Sequence, residues 1–157
     1  MDTKENTNFT KTTNKKKSVY IPEFEDGLYS ASDIETDFYD SIVKEVFFKG
    51  RARNVNSWER YFNDMCILCY SFDPSVFIKI VSNNIIHKES IQYDGKSFTP
   101  VISSNPSQLI NGIQIGLTEY YSEGNLNHET ARKYAKQLLD MYGLTDRILI
   151  FVINKKY

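Results

Sequence analysis

The side chains that could carry out catalysis are few and widely spaced. His87 and His128 are the only histidines of the 157-residue chain, and histidine is the side chain that ordinarily exchanges protons near neutral pH. They lie far apart in the sequence, and no cluster of titratable residues surrounds either of them. We therefore expect surface positions for both histidines. The chain is predicted not to be an enzyme and to use no cofactor or metal.

Two further motifs have the spacing of reactive sites but not their context. Cys66 and Cys69 match C-x-x-C, but they lie in an apolar helical pattern, and no second pair completes a tetrahedral metal site. We predict that they pack in the core. Gly112 and Gly116 lack the preceding strand and the third glycine of a phosphate-binding loop. They predict close packing between helices.

Composition excludes several classes of protein. The net charge of −1 and the pI of about 6.1 argue against a dedicated nucleic-acid binder. No apolar run approaches the roughly 18 residues of a membrane span, so no membrane anchor is expected.

Residues 1–17 are polar and rich in lysine, which predicts a disordered tail before a domain over 18–157. Two cysteines cannot form a disulfide framework, which favours a reducing cytosol.

Apolar residues at helical spacing predict five helices that would position these side chains. Ser57, Asp73 and Asn127 are predicted N-caps, and Gly143 is a predicted C-terminal stop. The helices are predicted over 32–50, 57–72, 73–81, 105–121 and 127–143.

Two segments leave alternatives open. Residues 84–104 fit either a hairpin that turns at Asp94-Gly95 or a frayed helix followed by a loop. Residues 148–153 have strand propensity, but a single strand would have nothing to pair with. If 84–104 is not a hairpin, the chain end must be a helix capped by Thr145 or Asp146.

Three stretches, in this order, resemble the poxviral Bcl-like family of intracellular innate-immune modulators. They include an aromatic helix end at Phe47-Phe48-Lys49-Gly50, a second at Tyr70-Ser71-Phe72-Asp73, and an apolar helix over 110–117. The full stretches are SIVKEVFFKGRARNVNSWERYFNDMCILCYSFDPSVFIKIV, INGIQIGLTEYYSEG and ARKYAKQLLDMYGLTDRILIFVINKK. The resemblance implies an all-α, Bcl-like bundle of about seven helices around a central helix from Pro106 to Tyr121, with a helical chain end.

The resemblance also implies a function. Such a virulence factor would bind host adaptors or kinases in the host cell cytoplasm and inhibit Toll-like and interleukin-1 receptor signalling to NF-kappa-B and interferon induction. Two copies could pair, because family members often do so through their first and sixth helices. The matching positions, which would form a dimer or partner face, are Asp37, Asp40, Lys44, Arg132, Lys136 and Asp140.

Two alternative functions also fit parts of the sequence. The first is an anti-apoptotic protein that holds pro-apoptotic helices in a groove, although the Asn-Trp-Gly-Arg signature of cellular apoptosis regulators is missing here. The second is a bacterial α+β immunity or regulatory protein, which predicts the hairpin at Asp94-Gly95. The groove of the first alternative would be lined by Tyr61, Met65, Phe77, Ile110 and Ile113.

Overall fold

The structure is a computed structural model that describes residues 24–88 and 99–155. Within these ranges it contains three α-helices and nine strands, and every strand pairing is antiparallel. The helices are α1 (Trp58–Phe72), α2 (Pro74–Ser82) and α3 (His128–Tyr142). The strands are β1 (Gly27–Ser30), β2 (Ser41–Phe48), β3 (Arg51–Asn54), β4 (His87–Lys88), β5 (Thr99–Pro100), β6 (Ile102–Ser103), β7 (Gly112–Gln114), β8 (Tyr121–Glu123) and β9 (Leu149–Asn154).

The largest sheet has four strands in the order β1, β9, β2, β3. In the central strand β9, Ile150 lies opposite Tyr29 of β1 and Val46 of β2. Ile150, Val46 and Val152 are almost completely buried, because their side chains share the sheet face that packs into the helical core. A β-bulge between Phe151 and Val152 shifts the pairing with β2 by one residue.

The three helices begin and end at the residues that the sequence indicates. The side chains of Ser57, Asp73 and Asn127 each accept a backbone N–H of the following first turn. Gly143 ends α3 in the left-handed conformation, with φ of 69°. The predicted helices over 57–72, 73–81 and 127–143 are therefore confirmed.

A three-stranded sheet with the order β6, β8, β7 is hydrogen-bonded to helix α1. The link is the amide of Asn63, which is 1% exposed. Its Nδ2 donates to the carbonyl oxygens of Ile113 (3.1 Å) and Gln114 (3.2 Å) and to Oγ of Ser122 (2.9 Å). A buried amide with three acceptors fixes the position of this sheet on the helix.

The predicted all-α, Bcl-like bundle of about seven helices is wrong, because the described chain is mixed α/β. Residues 41–48 of the predicted first helix form β2 instead. Its Ile42, Val43 and Val46 are β-branched residues that pair well across a sheet. Upstream, the carboxylate of Asp33 accepts the N–H groups of Glu35 and Thr36 and forms a turn rather than a helix cap.

The predicted central helix from Pro106 to Tyr121 is also absent. This segment contains a short 3-10 helix (Pro106–Gln108), strand β7, and a turn in which Gly116 has φ of 53°. Its Ile110 is 72% exposed and Leu117 is completely exposed, so this segment does not form an apolar helix at the centre of the fold. The core is formed mainly by the three α-helices and the four-stranded sheet.

The chain end is a strand, as its propensity indicated, and not the helix that the resemblance implied. Its partners are β1 and β2 rather than residues 84–104. The prediction that a strand at the chain end requires a hairpin over 84–104 is therefore wrong. Strands β4 and β5 pair on either side of Asp94-Gly95, although that dipeptide lies outside the described residues. The predicted tail over 1–17 lies outside them as well.

Candidate protein-binding groove

Strands β2 and β3 form a hairpin whose turn consists of Lys49 and Gly50. Both residues have positive φ, 52° and 75° respectively, as a two-residue type I′ turn requires. Glycine adopts this conformation freely, whereas a lysine there is strained. The Lys49 ammonium lies 5.4 Å from the ring centroid of Phe48 and 5.0 Å from that of Phe72, so cation–π attraction partly offsets the strain.

We expect the substitution Gly50→Ala to lower the free energy of unfolding by about 1–2 kcal/mol, because a Cβ is disfavoured at positive φ. Gly27→Ala is a matched control, since an added Cβ meets nothing within 4 Å at either glycine and only Gly50 has positive φ. The control should change stability by less than about 0.5 kcal/mol. Urea unfolding of both variants measures the difference, and equal losses would show that the turn conformation is not the cause.

A groove of about 620 Å³ lies between this hairpin and α1. We call it the hairpin groove. Register places Val46 opposite Arg53 and Phe48 opposite Arg51, so these four side chains lie on the sheet face that looks toward the helix. Its apolar lining residues are Val46, Phe48, Ala52, Ile67, Leu68 and Phe72, and its charged lining residues are Lys49, Arg51 and Arg53.

The groove carries an excess of positive charge. Lys49 and all four residues of β3 are exposed, which leaves the charged ends of Lys49 and Arg51 in contact with water. Arg53 is partly compensated, because its Nε donates to Oδ1 of the buried Asp64 over 2.8 Å. None of the lining residues is acidic. The groove therefore attracts carboxylates and offers an apolar surface beside them.

A second, smaller groove of about 390 Å³ continues across α1 and shares Ile67 and Ser71 with the first. Its far wall is the turn between β7 and β8, at whose tip the side chain of Leu117 is completely exposed. A single exposed leucine is common on protein surfaces and does not by itself indicate a partner. The two grooves together extend from Phe48 across α1 to Leu117.

The six predicted partner-face residues do not form one surface. Arg132 is 3% exposed and binds the backbone carbonyls of Asp33 and Thr36 inside the protein. Lys136 and Asp140 form an ion pair of 3.0 Å on α3. Asp37 and Asp40 lie in the loop before β2, where Asp37 interacts electrostatically with Arg132, and Lys44 lies within β2.

The five predicted groove residues are not brought together either. Tyr61, Met65 and Phe77 are completely buried in the core, whereas Ile110 is exposed and Ile113 is half-buried on β7. Burial raises the pKa of the Tyr61 hydroxyl far above its usual value. None of the five lines the hairpin groove.

The two histidines and the two cysteines lie in secondary structure elements. His87 lies on β4 and His128 at the start of α3, where burial against Trp58 lowers the pKa of His128. Burial raises the pKa of Cys66 well above its usual value and that of Cys69 to about 12, so both thiols stay protonated and unreactive. Within residues 24–88 and 99–155, no group of three or more His, Cys, Asp or Glu side chains could hold a metal ion.

The hairpin groove is not among the sites that the sequence predicts. Phe48, Lys49 and Gly50 fit the turn between two strands as well as the predicted aromatic helix end. The signal that could have found the hairpin is Lys49-Gly50 directly after the run SIVKEVFF, which is rich in β-branched and aromatic residues. Arg51 and Arg53 have the alternate spacing that places two cations on one face of a strand.

No family model, curated protein or solved structure matches the chain. In the part of the chain that the structure describes, no helix has the length and apolar character needed to cross a bilayer.

Proposed function

We propose that this protein acts by binding another protein, and that the hairpin groove is the contact surface. The observation that carries the proposal is the groove itself, which combines an apolar lining with three cationic side chains and no acidic one. The net charge of the chain is −1, so this local excess of positive charge is a feature of the groove rather than of the whole molecule. The partner should present carboxylates beside an apolar side chain.

The two parts of the groove contribute differently to binding. Burial of Phe48 and Phe72 by a partner supplies most of the affinity, because aromatic side chains and arginines dominate binding energies at interfaces. The exposed charges of Lys49 and Arg51 increase the association rate and select an acidic partner. Neither part requires a chemical reaction, and turnover is not part of the proposal.

The more specific functions implied by the resemblance rest on a helical bundle. Inhibition of innate immune signalling and capture of pro-apoptotic helices are predictions whose structural premise is wrong for this chain. What the proposal keeps from them is binding of a protein without catalysis. An α+β immunity or regulatory protein, the non-viral alternative, agrees with the mixed fold and would act through the same kind of contact.

Affinity capture from a lysate of the source cells tests this proposal. We expect the tagged wild-type protein to retain a partner that the Arg51→Glu variant loses by about tenfold or more, because the substitution reverses a charge in the groove. Lys133→Glu is the matched control, since it makes the same charge change at an exposed position of α3. The control should retain the partner.

The same capture can contradict the proposal in two ways. Equal retention by the wild-type and Arg51→Glu proteins would exclude the groove as the contact surface. Loss of the partner from both charge variants would show that overall charge, and not the groove, determines binding.

A further inference from the structure

Strand β3 is the edge of the four-stranded sheet, next to β2. All four of its residues, 51–54, are exposed, and within residues 24–88 and 99–155 no strand pairs with its outer side. An unpaired edge presents a row of backbone N–H and C=O groups that can pair with another extended segment. This edge also borders the hairpin groove.

The hydrogen-bond pattern shows which backbone groups are available at the edge. Just beyond β3, the N–H of Val55 donates to the carbonyl of Lys44 over 2.9 Å, so this pair bonds across the hairpin. Bonded and non-bonded pairs alternate in an antiparallel ladder. This alternation, followed from Val55 toward the turn, means that the backbone groups of Arg53 and Arg51 bond to β2. The backbone N–H and C=O groups of Ala52 and Asn54 point outward.

The side chains alternate in the same way. Arg51 and Arg53 lie opposite Phe48 and Val46 and so project toward the groove. A strand added to β3 would place alternate side chains beside the two arginines. Continuing toward the turn, its next side chain on that face would approach the apolar wall that Phe48 forms with Phe72, whose ring centroids are 5.8 Å apart.

We propose that the partner binds through an extended acidic segment that adds to β3 as a fifth strand. This inference rests on the proposed function and specifies its binding mode. The backbone of the segment pairs with Ala52 and Asn54, two carboxylates at alternate positions face Arg51 and Arg53, and an aromatic side chain at the next alternate position contacts the apolar wall. Backbone pairing supplies affinity, and the side chains supply specificity.

The two arginines also exclude a second copy of this chain as the occupant. If β3 paired with β3 of another molecule, arginines would lie beside arginines, and like charges opposite each other destabilise a strand pair. Charged residues on edge strands prevent indiscriminate pairing in this way. The same charges favour an acidic strand, so the edge of β3 can pair with acidic segments while it disfavours basic ones.

Short peptides test the binding mode directly. The probe is Phe-Thr-Glu-Thr-Glu-Thr-Phe, whose pattern reads the same in both strand directions. We expect it to bind about tenfold or more tightly than Phe-Thr-Lys-Thr-Lys-Thr-Phe, because the charges facing Arg51 and Arg53 are reversed. A scrambled peptide, Glu-Glu-Thr-Thr-Phe-Phe-Thr, loses the alternation and should bind as weakly as the lysine peptide. Fluorescence anisotropy measures all three affinities, and equal affinities or no binding of the probe would overturn the proposal.

Amide hydrogen exchange of the wild-type protein shows whether a strand is added. At saturating probe, exchange of the Ala52 and Asn54 amides should slow by about tenfold or more, because their N–H groups become hydrogen-bonded. The amides of Arg51 and Arg53 already bond to β2 and should change much less. Binding without protection of Ala52 and Asn54 would contradict strand addition.

Ala52→Pro removes one outward donor without affecting the bonds between β2 and β3. Its affinity for the probe should fall by about tenfold, whereas Ala52→Val, which keeps the donor and suits a strand, should bind as the wild type does. Retention of the partner captured from the lysate distinguishes strand addition from binding at the hairpin groove. Retention by Ala52→Pro together with loss from Arg51→Glu would refute strand addition alone, while retention by both would refute the groove.

Discussion

Replacement of Arg132 by methionine should lower the free energy of unfolding by about 3–5 kcal/mol, because two backbone carbonyls would each lose a hydrogen bond from a charged donor. The guanidinium donates to the carbonyls of Thr36 (2.8 Å) and Asp33 (2.7 Å). Its central carbon lies 4.2 Å from the ring centroid of Phe38 and 6.0 Å from that of Trp58. Methionine fills part of this space but leaves both carbonyls without their donor.

The same helix provides the control for this prediction. Lys136 lies one turn further along α3 and forms an ion pair with Asp140 at the surface. Lys136→Met should cost less than about 0.5 kcal/mol, because exposed pairs at this spacing contribute little. Urea unfolding followed by fluorescence of Trp58, the single tryptophan, measures both variants. Losses of similar size would mean that the buried network is not an important source of stability.

Glu123→Gln should lower the free energy of unfolding at pH 7 by about 2–3 kcal/mol, since it removes a charged acceptor from a buried site. The Glu123 side chain is fully buried on β8. Its Oε1 accepts the N–H of Ile110 over 2.9 Å, and its Oε2 accepts those of Asn111 (2.8 Å) and Asn125 (3.3 Å). Glutamine replaces one oxygen by a donor that faces these N–H groups.

The loss should depend on pH with a definite sign. Burial by itself raises the pKa of Glu123, but hydrogen bonds from three backbone N–H groups and the Lys88 ammonium outweigh it and hold the pKa below the ordinary value of 4.5. A carboxyl whose folded pKa is lowered contributes stability above its unfolded pKa, and that contribution disappears as the pH falls through the folded value. The wild type should therefore approach Glu123→Gln in stability below pH 4.5.

Unfolding measured at several values between pH 7 and pH 3 checks this prediction. Glu119→Gln is the control, because Glu119 lies four positions earlier on an exposed turn. A difference between wild type and Glu123→Gln that stays constant over the whole range would show that ionisation of Glu123 does not stabilise the fold.

The three α-helices could be predicted because their determinants are local. Each begins at a side chain that accepts a backbone N–H of the first turn: Ser57, Asp73 or Asn127. Gly143 ends α3 through a conformation that glycine adopts readily. These contacts lie within a few residues of each other, so they can be recognised without knowledge of the rest of the chain.

The prediction of a helix in place of β2 was wrong because apolar residues at 38, 42, 43, 46 and 47 fit a helix as well as a strand. Which structure forms depends on neighbours that lie far away in sequence. Val43 and Val46 pair with Val152 and Ile150 of β9, about a hundred positions later. The predicted central helix failed for a related reason, because the carboxylate of Glu123 binds the N–H groups of Ile110 and Asn111 that a helix would have used.

The sequence by itself determined the helix boundaries, the burial of the two cysteines and the strand propensity of the chain end, because each depends on nearby residues or on side-chain type. Only the tertiary structure decided which strands pair, and so which residues share a surface. The hairpin groove joins β3 to the end of α1, and its charge reflects strand alternation that becomes visible only once the register of β2 and β3 is known. Register is a property of paired strands, and pairing is set by long-range contacts that spacing along one chain does not reveal.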